Sequence, residues 1–107
     1  MREAIPPDVG GVTLEPELMR LWPGMDAEAA TVSLRERASA ALGRPVAGVR
    51  RGGASDASHL ARVIPLTVDG LGPRGGKAHN PGEFVLAGSL ASRAQVALAV
   101  IDAALAA

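Results

Sequence analysis

The segment from Asp69 to Gly82 limits what this chain can fold into more than any other part of the sequence. Half of its fourteen residues are glycine or proline, so no regular helix or strand is expected to run through it. A loop of this length inside a compact domain is usually functional or disordered. The fold must therefore be built from the elements before and after this loop.

Two long helices are predicted on either side of the loop. The first covers residues 27–42, with Asp26 as a possible N-cap and Gly43 placed to end it. The second lies within residues 86–107, with Ser89 as its N-cap. Its predicted apolar stripe consists of Leu90, Ala94, Ala97, Leu98, Ile101 and Leu105. Because polar residues lie on its other side, we interpret it as an amphipathic packing helix and not as a membrane span.

Two strands and a glycine turn are predicted between these helices. Residues 46–50 form a short strand, and the continuous apolar run at residues 64–68 is typical of a buried strand. The turn Gly52-Gly53-Ala54-Ser55-Asp56 lies between them and leads into a short helix that is capped by Ser55 or Asp56 and contains His59. Because strands and helices alternate, the sequence predicts an α/β layer arrangement.

The composition lowers the expectation of several functions. The chain has 107 residues, with 11 basic and 11 acidic side chains interspersed, and this gives no electrostatic footprint for nucleic acid or an anionic membrane. No cysteine is present, so thiolate zinc sites and disulfides are excluded, and the cytoplasm is the expected compartment. With two aromatic residues, 13 glycines and 8 prolines, the core must be built from Ala, Val and Leu, which is thin for a free-standing domain.

The loops contain two candidate sites, and each has two open interpretations. His79 follows a predicted buried strand, where α/β proteins often place ligands and catalytic groups, but its spacing alone favours a solvated loop histidine, since no second histidine lies at ligand spacing. Backbone N–H groups of Gly52, Gly53, Ala54 and Ser55 could hold a carboxylate or phosphate. Alternatively, these glycines only supply positive φ angles for a tight turn while Asp56 caps the helix. For His59, the expected role is that of a partly buried packing residue.

Several motifs, taken together and in order, resemble a known enzyme family. They are Gly52-Gly53-Ala54-Ser55-Asp56-Ala57, Ile64-Pro65, Asp69-Gly70-Leu71-Gly72-Pro73, Gly75-Gly76-Lys77-Ala78-His79 and Glu83-Phe84-Val85. This combination resembles the C-terminal end of the zinc-dependent exopeptidases and deacylases, which include glutamate carboxypeptidase, acetylornithine deacetylase and succinyl-diaminopimelate desuccinylase. The resemblance is close over residues 46–105. It is looser before them, where Trp22-Pro23-Gly24-Met25 resembles the junction between the family's lid and catalytic domains.

The resemblance implies a fold and an activity. Residues 23–107 would form the C-terminal part of the α/β/α catalytic domain of a di-zinc aminopeptidase-like fold, and residues 1–22 the end of a lid or dimerisation domain. The complete enzyme would be a two-zinc hydrolase that cleaves an amide bond of N-acyl amino acids or peptides. By the same resemblance, His79 falls on a zinc ligand, and Gly52, Gly53, Ala54 and Ser55 fall on the turn that lines the substrate pocket.

Most of the family's catalytic residues have no counterpart in this sequence. The family takes its other zinc ligands and its general base from a His-x-Asp motif, an isolated aspartate and a Glu-Glu pair. This sequence contains neither a His-x-Asp motif nor a Glu-Glu pair. We therefore expect at most one zinc ligand, no activity from the chain alone, and association as a homodimer or with a missing catalytic half. Two alternatives stay open: a small binding module, and a subunit that completes a metallohydrolase in trans. Because Trp22 stands where glutamate-releasing members often carry arginine, the acyl group and leaving amino acid are undetermined.

Overall fold

The computed structural model describes residues 5–106, and within them three α-helices and two short antiparallel strand pairs are joined by long irregular segments. The helices are α1 (Val32–Leu42), α2 (Asp56–Leu60) and α3 (Leu90–Leu105). The strands are β1 (Asp8–Val9) paired with β2 (Val12–Thr13), and β3 (Gly75–Gly76) paired with β4 (Phe84–Val85). Short 3-10 helices at Ala29–Thr31 and Ala87–Ser89 precede α1 and α3. This mixture of helix and a small amount of sheet is consistent with the predicted α/β class.

Helix α1 begins later than the sequence predicts. Its N-cap is Thr31 and not Asp26, and the φ and ψ angles of Thr31 are −105° and 5°, outside the helical range. The Thr31 hydroxyl donates a hydrogen bond of 2.7 Å to the Ala27 carbonyl, a local bond that competes with regular helix. The predicted end is confirmed, because Gly43 adopts a left-handed φ of 70° and donates its N–H to Ser39.

The core lies between α1 and α3 and is small. It consists of Leu34, Ala38, Val96, Val100 and Ala103. Two arginines of the α1 region add hydrogen bonds to α3: Arg37 donates to the Ala103 carbonyl at 3.2 Å, and Arg44 donates to both the hydroxyl and the carbonyl of Ser92 at 3.0 Å. The helix pair is therefore held by a few aliphatic side chains and a set of charged donors.

The predicted apolar stripe of α3 is not the face that packs against α1. The buried residues are Val96, Val100 and Ala103, whereas Leu98 and Leu105 in the predicted stripe are 69% and 83% exposed. Val96, Val100 and Ala103 also recur at helical spacing, so the helix has two apolar faces and periodicity alone could not rank them. Ala87–Leu105 is long and apolar enough to cross a membrane. Core helices of soluble proteins meet the same criterion of length and composition.

The two strands predicted between α1 and the glycine-rich loop are not formed. Residues 46–50 and 64–68 have no regular structure, and the predicted buried run is exposed at Ile64 and Leu66 but buried at Thr67. A strand needs a neighbour to pair its backbone groups, and the described chain brings none to these segments. The glycine-rich loop was predicted to lack regular elements, but it contains the two-residue strand β3.

The surface is large for a chain of this mass. The radius of gyration is 18.8 Å, compared with about 13 Å for a compact domain of equal length. The accessible surface is 8545 Å², compared with about 5,500 Å² for a compact monomer. The α1–α3 core therefore leaves much apolar surface uncovered.

Candidate metal and substrate site

His79 lies at the tip of the β3–β4 hairpin. Its φ angle is +63°, and the turn around it is closed by hydrogen bonds from Asn80 N–H to the Lys77 carbonyl (3.1 Å) and from Glu83 N–H to the Asn80 carbonyl (2.9 Å). The Asn80 side-chain oxygen also accepts the N–H of Gly82 at 3.1 Å. Since these bonds are local, the sequence of the turn itself sets the backbone that presents the exposed imidazole.

The strands of this hairpin approach each other so closely that glycine is required. A Cβ atom at Gly75 would collide with the Phe84 carbonyl oxygen, and one at Gly76 would lie 2.9 Å from the ring of Phe84. The Phe84 ring therefore covers the Gly76 backbone. A side chain at either glycine would open the hairpin and move His79.

The base of the hairpin is attached to α3. Arg74 N–H donates to the Ser89 hydroxyl at 2.9 Å, and its carbonyl accepts from Leu86 N–H at 2.7 Å. Ser89 holds the predicted N-cap position of α3, but its hydroxyl makes no cap bond to the helix amides. Arg93, in the first turn of α3, donates to the carbonyls of Gly70 and Gly72 at 2.9 and 3.0 Å. The glycine-rich loop thus has a defined attachment to the helix pair.

The glycine turn at residues 52–55 ends in the predicted cap. Ser55 accepts the Ala57 N–H at 3.2 Å and forms a capping box with Ser58, which confirms the predicted start of α2. Gly52 and Gly53 do not adopt positive φ angles, so the interpretation that they only provide left-handed backbone for a tight turn is wrong. A Cβ atom at either would meet nothing within 4 Å, so this backbone is open to an approaching group.

Asp69 connects the glycine turn to the glycine-rich loop. The Ser55 hydroxyl donates a 2.5 Å hydrogen bond to one carboxylate oxygen, and the Gly70 N–H donates to the other at 2.7 Å. These donors, Ser55 first, hold the pKa of Asp69 below its ordinary value of 3.8. The only proton of the Ser55 hydroxyl is therefore committed to Asp69, and the Ser55 N–H is committed to the Ser58 hydroxyl in the capping box.

His59 packs against Trp22. The two rings are tilted by 56° with their centroids 4.6 Å apart, so His59 does make a packing contact, but the expectation that it is partly buried is wrong because His59 is exposed. This contact places Trp22, the residue of the predicted domain junction, beside the helix that follows the glycine turn.

The structure joins the two candidate sites only indirectly. Within residues 5–106 no hydrogen bond or ion pair links His79 to residues 52–55; the path runs through Asp69, the 70–74 loop and α3. In the same residues no three His, Asp or Glu side chains gather into a possible metal site. His79 is a suitable zinc donor, but the donor set of the described chain does not fit a zinc pair.

Comparison with known proteins assigns the chain to a class of hydrolases. The sequence model of peptidase family M20/M25/M40 matches residues 3–103. The match spans nearly the whole chain, and the chain therefore belongs to this peptidase family, whose members are metallopeptidase-type hydrolases that generally depend on zinc. No curated protein and no solved structure matches the chain.

Two residues of the site were missed by sequence reasoning. Asp69 belongs to one of the quoted motifs, and an aspartate before glycine at the end of an apolar run is a common turn signal. Its hydrogen bond with Ser55 joins residues 14 positions apart, so no local sequence pattern indicates it. Arg93 lies within the last predicted helix. Nothing in its spacing indicates that it holds the loop carbonyls.

Proposed function

We propose that this chain forms the C-terminal part of a zinc-dependent hydrolase that cleaves an amide bond of N-acyl amino acids or peptides, as carboxypeptidases and deacylases do. The observation that carries the proposal is that the family match includes a locally fixed hairpin presenting an exposed histidine, His79. Residues 23–107 would belong to the α/β/α catalytic domain, and residues 1–22 to the end of a lid or dimerisation domain. Residues 1–4 and 107 lie outside the described structure.

In this proposal His79 is a metal ligand and residues 52–55 line the substrate pocket. Support for the first role comes from the exposure of His79 and from the close β3–β4 contact, which fixes the hairpin that carries it. Support for the second comes from the open backbone at Gly52 and Gly53, and from the Ser55 cap that fixes one end of the turn. Contacts from this turn to a substrate would be made by backbone groups.

The chain alone is proposed to be inactive. Amide hydrolysis needs an activated water and a general base within about 3 Å of it, and each of these typically lowers the barrier by several kcal/mol. One exposed histidine and part of a pocket supply neither group. Contacts to the product end of a substrate lower the barrier little when the attacking group is absent. The remaining ligands and the base must therefore come from other polypeptide.

The proposed substrate is a small amide or peptide. The balanced charges give no reason to propose nucleic acid or an anionic membrane surface as a partner, and the cytoplasm is the proposed compartment. A second candidate function is a subunit that completes a metallohydrolase in trans, and the surface of 8545 Å² fits it as well as it fits the first proposal, since both need further polypeptide to cover that surface. The same extended surface argues against a free-standing binding module, which would have to be stable with the small α1–α3 core alone.

Hydrolysis assays test this proposal. The purified chain, supplied with zinc, cobalt or manganese, should cleave neither N-acyl amino acids nor dipeptides above background. Turnover should appear when a polypeptide carrying the family's His-x-Asp and Glu-Glu motifs is added, and His79→Ala should abolish it while the matched His59→Ala variant retains it. Turnover by the chain alone that survives complete removal of metal would refute the proposed function.

A further inference from the structure

We infer that Asp69 is a positioning residue of the proposed enzyme, and that its carboxylate orients the pocket-lining turn at residues 52–55 through the hydroxyl of Ser55. The inference deepens the proposed function, and it rests on that function for the role of the turn in binding substrate. Asp69 acts through Ser55 and contacts neither the substrate nor the metal.

The donors that the turn offers to a substrate lie before Ser55. The N–H groups of Gly52, Gly53 and Ala54 donate no hydrogen bond within residues 5–106. Neither glycine has a positive φ angle, and a Cβ atom on either would meet nothing within 4 Å, so no close contact fixes the backbone at the two glycines. The direction of the free amides therefore depends on the residue that ends the turn.

Ser55 ends the turn, and each of its polar groups is hydrogen-bonded by the chain itself. Its N–H donates to the Ser58 hydroxyl at 3.4 Å, and its carbonyl accepts the Ser58 N–H at 2.9 Å. Its hydroxyl oxygen accepts the Ala57 N–H at 3.2 Å, and its hydroxyl proton goes to Asp69 at 2.5 Å. Of these bonds, the one to Asp69 is the bond that ties the turn to a segment beyond α2.

The carboxylate that holds Ser55 is itself held in place. Its second oxygen accepts the Gly70 N–H at 2.7 Å, and Gly70 has a left-handed φ angle of 75°. The Gly70 carbonyl accepts from Arg93 at 2.9 Å, so this glycine is held between an anion and a cation. Hydrogen bonds in which one partner is ionised are shorter and stronger than those between neutral groups.

Arg93 anchors this arrangement at a position that disfavours a cation. It lies in the first turn of α3, near the positive end of the helix dipole. Its two bonds to the carbonyls of Gly70 and Gly72 offset this effect and attach the loop to α3. The order of support therefore runs from α3 through Gly70 and Asp69 to Ser55 and the free amides of the turn.

Position and charge predict opposite effects of Asp69 on substrate binding. N-acyl amino acids end in a carboxylate, and a second carboxylate close to the turn repels them. If Asp69 acted through its charge alone, its removal would lower the KM, whereas removal of a group that orients the turn raises the KM. The geometry favours orientation, because both oxygens of Asp69 accept hydrogen bonds from the chain's own donors.

Steady-state kinetics of the completed enzyme test the inference. The chain is combined with a polypeptide that carries the family's His-x-Asp and Glu-Glu motifs, and the probe is the N-acyl amino acid that this complex cleaves best. Asp69→Ala and Ser55→Ala should each raise the KM about threefold or more and change kcat by less than about twofold. In the Ser55→Ala background, Asp69→Ala should raise the KM no further, because Asp69 acts through Ser55.

Two control variants separate orientation from a general effect on the fold. Ser55→Thr keeps a hydroxyl that can donate to Asp69, so its KM should stay within about twofold of the unaltered value. Glu36→Gln removes an exposed carboxylate of α1 that forms no ion pair within the described residues, and it should leave the KM unchanged. Circular dichroism of each variant identifies any loss of helix. If Asp69→Ala alone loses helix, the comparison of Ser55→Ala with Ser55→Thr decides.

Amide NMR of the chain alone distinguishes failure of the inference from failure of the proposed function. At neutral pH, Asp69→Ala should shift the signals of Gly53 and Ala54 by more than Glu36→Gln does, although Asp69 is distant from both in sequence. If these signals move but no complex hydrolyses an amide, the orienting contact stands and the proposed function fails. If a complex is active but the signals do not move, the function stands and the inference fails.

Three kinetic results also overturn the inference. The first is a KM that falls or is unchanged in Asp69→Ala. The second is an equal rise in KM from Asp69→Ala with and without the Ser55 hydroxyl, which would mean that the carboxylate acts by another route. The third is a KM in Ser55→Thr as high as in Ser55→Ala, which would mean that the hydroxyl is not the group that matters.

Discussion

The affinity of the isolated chain for zinc is the most direct test of how many ligands it carries. Structural zinc sites with four ligands bind with about 10–16 kcal/mol, which corresponds to roughly 2.5–4 kcal/mol for each ligand. His79 is exposed and stands outside any group of three His, Asp or Glu side chains in the described residues. One such ligand gives a dissociation constant of about 1 mM or weaker.

Calorimetric titration and NMR of the imidazole resonances measure this affinity and assign it. Zinc should shift the ring signals of His79, and the His79→Ala variant should lose this binding. His59 provides a matched control within the same chain, because it is the other histidine and is also exposed. The His59→Ala variant should leave the zinc-induced shift of the His79 ring signals unchanged.

A tight site would refute this reasoning. A dissociation constant below about 1 μM corresponds to more than 8 kcal/mol, which one histidine cannot provide. If that affinity disappeared in His79→Ala, at least one or two further side chains of this chain would have to reach the hairpin tip. The statement that the chain supplies a single ligand would then be wrong.

Two further predictions concern the link between the loops and the core. The carboxyl carbon shift of Asp69 should titrate with a midpoint below 3.8, because the hydrogen bond from Ser55 stabilises the carboxylate. This bond therefore stabilises the folded chain above the pKa that Asp69 has in the unfolded chain. The contribution is lost as the pH falls through the pKa of Asp69 in the folded chain. Ser55→Ala should raise this midpoint while Ser89→Ala leaves it unchanged, and an unmoved midpoint in Ser55→Ala would contradict the assignment. The side chain of Leu34 is only 3% exposed, so Leu34→Ala should lower the free energy of unfolding by about 2–5 kcal/mol. The exposed Leu98→Ala should lower it by less than about 0.5 kcal/mol. Urea unfolding monitored by circular dichroism measures both values. Equal losses in both variants would mean that the α1–α3 core is not the stabilising unit.

Two features determined by local sequence, one helix start and one helix end, were predicted correctly. The start of α2 at the Ser55 cap and the end of α1 at Gly43 each depend on hydrogen bonds or backbone angles within a few residues. The hairpin that carries His79 is also local, although its glycine content concealed the short β3–β4 pairing. In each case the determining contacts lie close together along the chain, where a sequence pattern can reveal them.

Features that depend on distant partners were not predictable in the same way. The run at residues 64–68 has the composition of a buried strand, but a strand is formed only when another strand accepts and donates its backbone hydrogen bonds. On α3, two apolar faces compete, and the choice of Val96 and Val100 over Leu98 follows from what α1 presents to it. Asp69 and Arg93 were missed for the same reason, since their partners lie 14 or more residues away.

These distant contacts explain how a chain with a small core can still position two loops. Asp69 fixes the end of the glycine turn, while Arg93 fixes the loop that continues from Asp69, and both attachments lead to the first turn of α3. A displacement of α3 would therefore move both the pocket-lining turn and the base of the His79 hairpin. Because α3 also carries the exposed stripe, a partner that packs on that stripe would set the orientation of both loops at once.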